Sequence, residues 1–191
     1  NLVIFDIDGT LQDSNDAHAL AWQAAFEDSG LSIPYERIRR GIGMGADHFF
    51  PEVGGMEPAS KTAVAIGTKK DRVFKSEFAA SIRAFPKAAD LIHEMKSRGW
   101  KIAVATSAER RGMETSLERI GITKDVSLQT SADDVSRSKP DPDVIKVTLG
   151  MAAMMPHDAI FIGDTPYDID AACRAGVKAI GLRSGGWSEV D

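Results

Sequence analysis

Four apolar residues, Leu2-Val3-Ile4-Phe5, run straight into Asp6-Ile7-Asp8-Gly9-Thr10. The run is short and apolar at every position, so it reads as a fully buried β-strand. Two carboxylates one residue apart at the end of such a strand are costly to fold, because both point into the crevice above a sheet and repel each other. A cation, a phosphoryl group or proton chemistry has to compensate. A second apolar run, Ala159-Ile160-Phe161-Ile162, leads into Gly163-Asp164-Thr165-Pro166-Tyr167-Asp168. If the two strands are neighbours, the crevice collects an acidic cluster whose oxygen donors suit a hard divalent cation such as Mg²⁺.

Strands are expected at 2–6, 101–106, 126–130, 159–163 and 177–182, each short, apolar and bounded by turn residues. Helical patterns separate most of them. The stretch 87–98 puts Leu91, Ile92 and Met95 on one face, and 109–120 puts Met113, Leu117 and Ile120 on one face before Gly121. Asp141 and Pro142 read as the N-cap and first residue of a helix that stops at Gly150, and Pro166 opens another that ends near Gly176. This alternation argues for an α/β fold with a Rossmann-like parallel sheet core, whose ligands bind beyond the carboxyl ends of the strands. Asp6, Thr106 and Asp164 all fall on that rim. From 14 to 84 the alternation stops, and helices are expected at 16–29, from Pro34, and near 58–80. The expected division is therefore a discontinuous core, 1–13 and 85–191, with an inserted α-helical domain at 14–84. The hinges are Gln12-Asp13-Ser14 and Arg83-Ala84-Phe85-Pro86.

With 191 residues, 43% hydrophobic and 27% charged, the chain has the balance of a globular protein large enough for one good core and a modest second domain. A net charge of −5 argues against nucleic acid as a partner. No apolar stretch is long enough to span a membrane and no signal peptide is visible. The single cysteine, Cys173, excludes an intrachain disulfide, fits a reducing, cytoplasmic setting, and reads as a small packed residue. The chain opens without Met directly on a strand, so residues upstream are expected.

Asp6 can ligate metal or attack phosphorus, forming an acyl phosphate that splits one hard displacement into two easier ones. Asp8 can protonate the leaving oxygen and then deprotonate water; the alternative for this stretch is an Asx-turn that only tightens the loop. Thr106 and Ser107 can hold phosphoryl oxygens, or serve as a helix N-cap. Lys139, in Ser138-Lys139-Pro140-Asp141-Pro142, can neutralise the nucleophile and the transferring group, or be a solvated surface lysine. Asp164 is the stronger metal ligand of its pair. Asp168 can bind metal directly or through water, orient Lys139, or simply place favourable charge in the first turn of a helix.

In this order, the four pieces (Asp6-Ile7-Asp8-Gly9-Thr10, Thr106, Lys139 and Gly163 to Asp168) resemble the haloacid dehalogenase superfamily over nearly the whole chain. The insertion after the first motif resembles the small α-helical cap of the group containing phosphoglycolate phosphatase and β-phosphoglucomutase. The resemblance implies a phosphoaspartate mechanism with Mg²⁺, in which Asp6 is the nucleophile and Asp8 the acid/base. It further implies that Asp6, Asp164 and the backbone carbonyl of Asp8 bind metal with Asp168 in support, and that Thr106 and Lys139 hold the phosphoryl group. Family chains usually continue past the point corresponding to Asp191. Dehalogenases of the family lack the second aspartate, which is present here as Asp8, so phosphoryl transfer is favoured.

The expectation is a phosphatase acting on a small phosphorylated metabolite, as a monomer or weak homodimer, with specificity in the cap. Two alternatives stand beside it: a phosphosugar mutase and a non-catalytic binding protein on the same fold. His18 and Trp22 fit the mutase pattern. Met44, however, falls near the place where the mutase uses an arginine for the distal phosphate, with Arg39, Arg40 and Lys69 as possible substitutes. The Gly-rich segment 41–45 can approach a substrate or simply turn the chain. His48-Phe49-Phe50 reads as cap packing, and Lys69-Lys70 and Arg110-Arg111 as solvated helix faces.

Overall fold

A computed structural model describes residues 1–188. In chain order the elements are β1 (Leu2–Phe5), β2 (Gln12–Asp13), α1 (Asn15–Asp28), α2 (Tyr35–Gly41), α3 (Ala46–Phe49), α4 (Lys61–Val73), β3 (Arg83–Ala84), α5 (Ala88–Ser97), β4 (Lys101–Ala105), α6 (Arg110–Ile120), β5 (Leu128–Thr130), α7 (Asp143–Ala152), β6 (Ala159–Gly163), α8 (Pro166–Arg174) and β7 (Lys178–Gly181). Five strands form a parallel sheet in the order β5-β4-β1-β6-β7. β1 is central, with Leu2 level with Lys101 and Ala159, and Phe5 level with Val104 and Ile162. The chain fills one side of β1 with β4 and β5, then crosses to β6 and β7. The order therefore reverses beside β1, which is where α/β sheets open a crevice.

Side chains alternate along each strand, so the sheet has two cores. Leu2, Ile4, Ala103 and Phe161 pack with Val144, Ile145 and Leu149 of α7 and Ala171 and Ala172 of α8. Val3, Phe5, Ile102 and Val104 pack on the other face with Ile92 of α5 and Met113, Leu117 and Ile120 of α6. Leu91, expected on the same inward stripe as Ile92, is exposed.

The helices between β2 and β3 have a third core of their own, built on Ala25, Phe26, Ile38, Phe49, Phe50, Val53, Ala63 and Ile66. Trp22 stacks on Phe49 at 4.6 Å and meets Phe50 edge-on at 5.3 Å, which adds quadrupolar attraction to burial. The two connections into this insertion pair with each other: β2 and β3 form a short antiparallel ladder, Gln12 opposite Ala84 and Asp13 opposite Arg83. Among the described residues no helix is long and apolar enough to cross a membrane.

Both expected ends of α7 moved. α7 runs through Gly150 to Ala152 and ends on Ala153 at φ 52. Pro142, not Asp141, sits at its N-cap position. Asp141 is instead drawn away by His48 Nε2 at 3.0 Å on its Oδ2, with Arg137 and Arg174 near its Oδ1. Cys173, expected to be packed, is exposed on α8.

Candidate active site

The register of β1, β4 and β6 brings the rim residues together. The Asp6 amide donates to the Ile162 carbonyl at 2.9 Å, and the Thr106 amide to the Thr130 carbonyl at 3.0 Å, so each leaves its strand still tied to a neighbour. After Asp6 the chain folds back on Ile7, whose carbonyl accepts from Leu11 and Gln12. Gly9 turns at φ +78, and a Cβ there would stand 2.1 Å from Asp164 Oδ2. Glycine is therefore required both for the backbone angle and for the approach of the acidic cluster.

Asp6, Asp164 and Asp168 are buried and offer one oxygen each within 4.8 Å of one another. Lys139, only 1% exposed, is fixed between two of them: Nζ donates to Asp6 Oδ1 at 2.5 Å and to Asp168 Oδ1 at 2.6 Å. It is therefore not a solvated lysine. Burial works against its ammonium, but Asp168 and Asp6 outweigh that and hold its pKa above the ordinary range. Asp168 is also the third residue of a reciprocal capping box. Its Oδ2 accepts from the Thr165 hydroxyl (2.7 Å), the Thr165 amide (3.1 Å) and the Asp164 amide (3.2 Å). It thus orients Lys139, caps α8 and tethers the Asp164 backbone. Asp164 accepts from Thr10 Oγ1 at 3.0 Å and Asn15 Nδ2 at 2.8 Å.

The cluster carries more negative charge than one ammonium balances. Burial first, then repulsion from Asp168, pushes the Asp164 carboxyl up to about 7 against the hydrogen bonds from Asn15 and Thr10. Burial likewise drives Asp6 well above the usual carboxylate range; Lys139 opposes, and Asp168, Asp164 and Asp8 add to the rise. Buried oxygens with surplus negative charge fit a divalent cation. The Asn15 Oδ1 atom beside them is buried with no partner among the described residues.

Asp8 has a different environment. Its Oδ1 accepts from Ser14 Oγ at 2.5 Å and Gln12 Nε2 at 2.8 Å, and His18 Nε2 lies 3.2 Å away. Burial raises its pKa, but the charge and hydrogen bond of His18, with those of Ser14 and Gln12, hold it below the ordinary carboxylate range. His18 in turn stacks on Phe74 at 4.2 Å. Thr106 Oγ1 accepts from the Ala108 amide at 3.1 Å, so it tightens the loop before α6 rather than capping that helix, whose N-cap is Glu109. The adjacent Ser107 Oγ is buried and unpartnered among the described residues.

Asp6, Asp8, Thr106, Ser107 and Lys139 all line one cavity of about 490 Å³, whose other wall is the helical insertion. Trp22, Phe49, Phe50, Phe74, Met44 and Lys70 form part of that wall. Lys70, expected on a solvated face, sits with its ammonium 5.4 Å from the ring centres of both Trp22 and Phe74. Arg39, Arg40 and Lys69, the possible substitutes for a distal anion grip, do not line the cavity. Arg39 reaches Asp16 and the Gly185 carbonyl, Arg40 lies over Trp187, and Lys69 pairs with Asp28. The segment 41–45 does reach it: Gly41, Gly43 and Met44 line the cavity, and Gly43 at φ +108 packs on Thr165. Phe49 and Phe50 pack in the core of the insertion as expected, while His48 bridges to Asp141.

The sequence matches the haloacid dehalogenase-like hydrolase family over residues 3–182. It is 30% identical over 189 residues to "Probable phosphatase IndB" of Dickeya dadantii, covering 96% of this chain and 81% of that protein. It is 28% identical over 206 residues to phosphoglycolate phosphatase of Escherichia coli K12, with the same coverage. The fold superposes on a hydrolase from Pseudomonas syringae with a TM-score of 0.91 at 26% identity, covering all of this chain and 87% of that one. Family match, fold and a rim of paired aspartates agree, and the chain belongs to the haloacid dehalogenase-like hydrolases, beside relatives named as phosphatases.

Proposed function

We propose that this hydrolase is a Mg²⁺-dependent phosphatase that cleaves a small phosphate monoester through a phosphoaspartate at Asp6. The supporting observation is that Asp6, Asp8, Thr106 and Lys139 face one cavity while Lys139 holds Asp6 by a single oxygen. An Asp6 oxygen attacks phosphorus and the bond to the leaving oxygen breaks, with Asp8 supplying the proton. His18, Ser14 and Gln12 favour the ionised Asp8 carboxyl; the arriving phosphoryl anion opposes that ionisation and lets the carboxyl carry the proton. Water then attacks the same phosphorus and gives its proton to Asp8. The bond from phosphorus to Asp6 breaks, which restores the carboxylate and frees phosphate.

Asp6, Asp164 and the backbone carbonyl of Asp8 would hold Mg²⁺, with Asp168 supporting them through Lys139 and the Asp164 amide. Bound there, the ion withdraws charge from the phosphoryl oxygens. Lys139, Thr106 and the unpartnered Ser107 hydroxyl would hold those oxygens.

Residues 14–84 act as a cap that encloses the ester and sets specificity, over a core of 1–13 and 85–191. Lys70 and the aromatic wall meet the part of the ester beyond phosphorus. The phosphatase reading is favoured over the mutase because Arg39, Arg40 and Lys69 are all engaged away from the cavity. The reading extends to a cytoplasmic monomer or weak homodimer acting on a small metabolite. Its net charge of −5 disfavours nucleic acid as a partner.

The test is phosphate release from phosphoglycolate, hexose phosphates and nucleoside monophosphates, each with Mg²⁺ and with EDTA. Release that needs Mg²⁺ supports the reading; isomerised glucose phosphate without release would replace it with the mutase. Asp8→Asn is expected to lower kcat by about 10²–10⁴-fold, the usual contribution of proton transfer. It should shift Mg²⁺ activation little, since only the Asp8 carbonyl is assigned to metal. A large rise in the Mg²⁺ requirement would contradict that assignment.

The acidic cluster also predicts a pH dependence of stability. In the metal-free fold Asp164 titrates at about 7, against an ordinary value of 3.8. Between those values the native state keeps a proton that the unfolded chain has lost, so stability falls as pH rises from about 4 to about 7. Asp6 acts in the same direction. The depressed Asp8 acts oppositely, but its contribution is lost only as pH falls below the ordinary carboxylate range. Urea unfolding in EDTA should therefore give a lower midpoint at about pH 8 than at about pH 5, and Mg²⁺ should raise the midpoint more at the higher pH. A midpoint in EDTA that rises over this interval would contradict the surplus charge.

A further inference from the structure

Gln12 takes no part in the reaction just described, yet it is 1% exposed and both ends of its amide are used. Nε2 donates to Asp8 Oδ1 at 2.8 Å and to Ser116 Oγ at 3.0 Å, and Oε1 accepts from Arg119 Nη1 at 3.0 Å. Its backbone closes the same turn: its amide donates to the Ile7 carbonyl at 3.1 Å and its carbonyl accepts from Gly9 at 2.8 Å. Ser116 and Arg119 are three apart on α6, so they share one face of that helix. The adjoining stripe of α6, Met113, Leu117 and Ile120, is buried in the sheet core. The helix is therefore a rigid support, and a guanidinium on the amide oxygen polarises the N–H bonds and makes Nε2 a better donor.

The three groups on Asp8 Oδ1 come from two sides. Ser14 and His18 belong to the entry and first helix of the insertion, so they move with it if the cavity opens. Gln12 is braced on α6 of the sheet layer.

We infer that Gln12, backed by Arg119 and Ser116, is a positioning residue that holds Asp8 by Oδ1 from the core side and leaves Oδ2 for proton transfer. The inference rests on the phosphatase reading. Without Gln12, Asp8 is held only from the insertion. Its carboxyl then spends less time in line with the leaving oxygen, while substrate and metal contacts stay as they were.

The experiment is steady-state hydrolysis of the best ester by Gln12→Leu, Arg119→Met and the double variant in saturating Mg²⁺. Gln12→Leu keeps the side-chain volume and should lower kcat roughly tenfold, a fraction of what proton transfer contributes. KM and the Mg²⁺ requirement should stay within about twofold, a split that general loosening of the fold would not give. Arg119→Met, at a half-buried position, should lower kcat about threefold. The double variant should be no worse than Gln12→Leu, because both act through one bond. Should Gln12→Leu fail to fold, the Arg119→Met result decides alone. Wild-type kcat in either folded single variant, a loss confined to KM, or losses that multiply in the double variant would overturn the role of Gln12 and leave the phosphatase standing. A wild-type chain that releases no phosphate would overturn both.

Discussion

Lys139→Met is expected to remove turnover and a large part of the stability together. The ammonium is buried between Asp6 and Asp168, at 2.5 and 2.6 Å. Methionine fills a similar volume but leaves two carboxylates facing each other with no counter-charge. Breaking a buried ion pair from one side costs about 3–5 kcal/mol, because the remaining charge is neither solvated nor paired. The midpoint of urea unfolding in EDTA should fall accordingly. The deficit should shrink at acid pH, where Asp6, held above the usual carboxylate range by burial, takes up a proton. Activity should not return at any pH, since the variant cannot balance the transferring phosphoryl group. Lys139→Arg restores charge but not fit, because a planar guanidinium does not enter a gap shaped for one nitrogen. A Lys139→Met variant as stable as wild type would mean that Asp6 and Asp168 are not charged together in the fold.

Asp6→Asn is expected to separate the two properties. Turnover should fall by at least about 10³-fold, since an amide cannot form the acyl phosphate. Stability in EDTA should hold or rise. Asp6 is pushed upward by burial and by Asp168, Asp164 and Asp8, with Lys139 alone favouring its charge. The amide keeps an acceptor for Lys139 and removes one repelling carboxylate. A stable, inactive Asp6→Asn beside an unstable, inactive Lys139→Met would show that the same cluster is arranged for chemistry at Asp6 and for charge balance at Lys139. Near-normal turnover in Asp6→Asn would sink the nucleophile assignment.

The strand ends were legible because a buried parallel strand leaves no doubt about where its last residue points. Apolar runs ending in Asp6, Thr106 and Asp164 place those residues on one rim of a parallel sheet whatever the strand order. The helical insertion was legible from the missing strand pattern after Ser14. Long-range partners were not. Nothing local distinguishes Lys139 from a surface lysine except its flanking prolines, and nothing local distinguishes Lys70 from Lys69. Only the packing of α4 on α1 turns one toward Trp22 and Phe74 and the other toward Asp28.

Gln12 carried a faint signal, an uncharged polar residue that opens the hinge directly after the apolar Leu11, but its partners on α6 lie 104 and 107 residues away. Asp141 misled for a physical reason. An aspartate before proline is a good cap in isolation, but here His48 from the insertion competes for its carboxylate. Gly150 misled likewise, since the last turn of α7 is held by Leu149 and Ala152 in the core and the helix continues past the glycine.

Covalent phosphoryl transfer to Asp6 is the central claim, and acid-quenching the enzyme during turnover tests it most directly. The protein would be mixed with the best ester and Mg²⁺, stopped in acid, digested and weighed by mass spectrometry. The expected result is one phosphoryl group on the peptide containing Asp6, absent in EDTA and absent in Asp6→Asn. Phosphate release at full rate with no adduct on that peptide, and with Asp6→Asn still active, would contradict it.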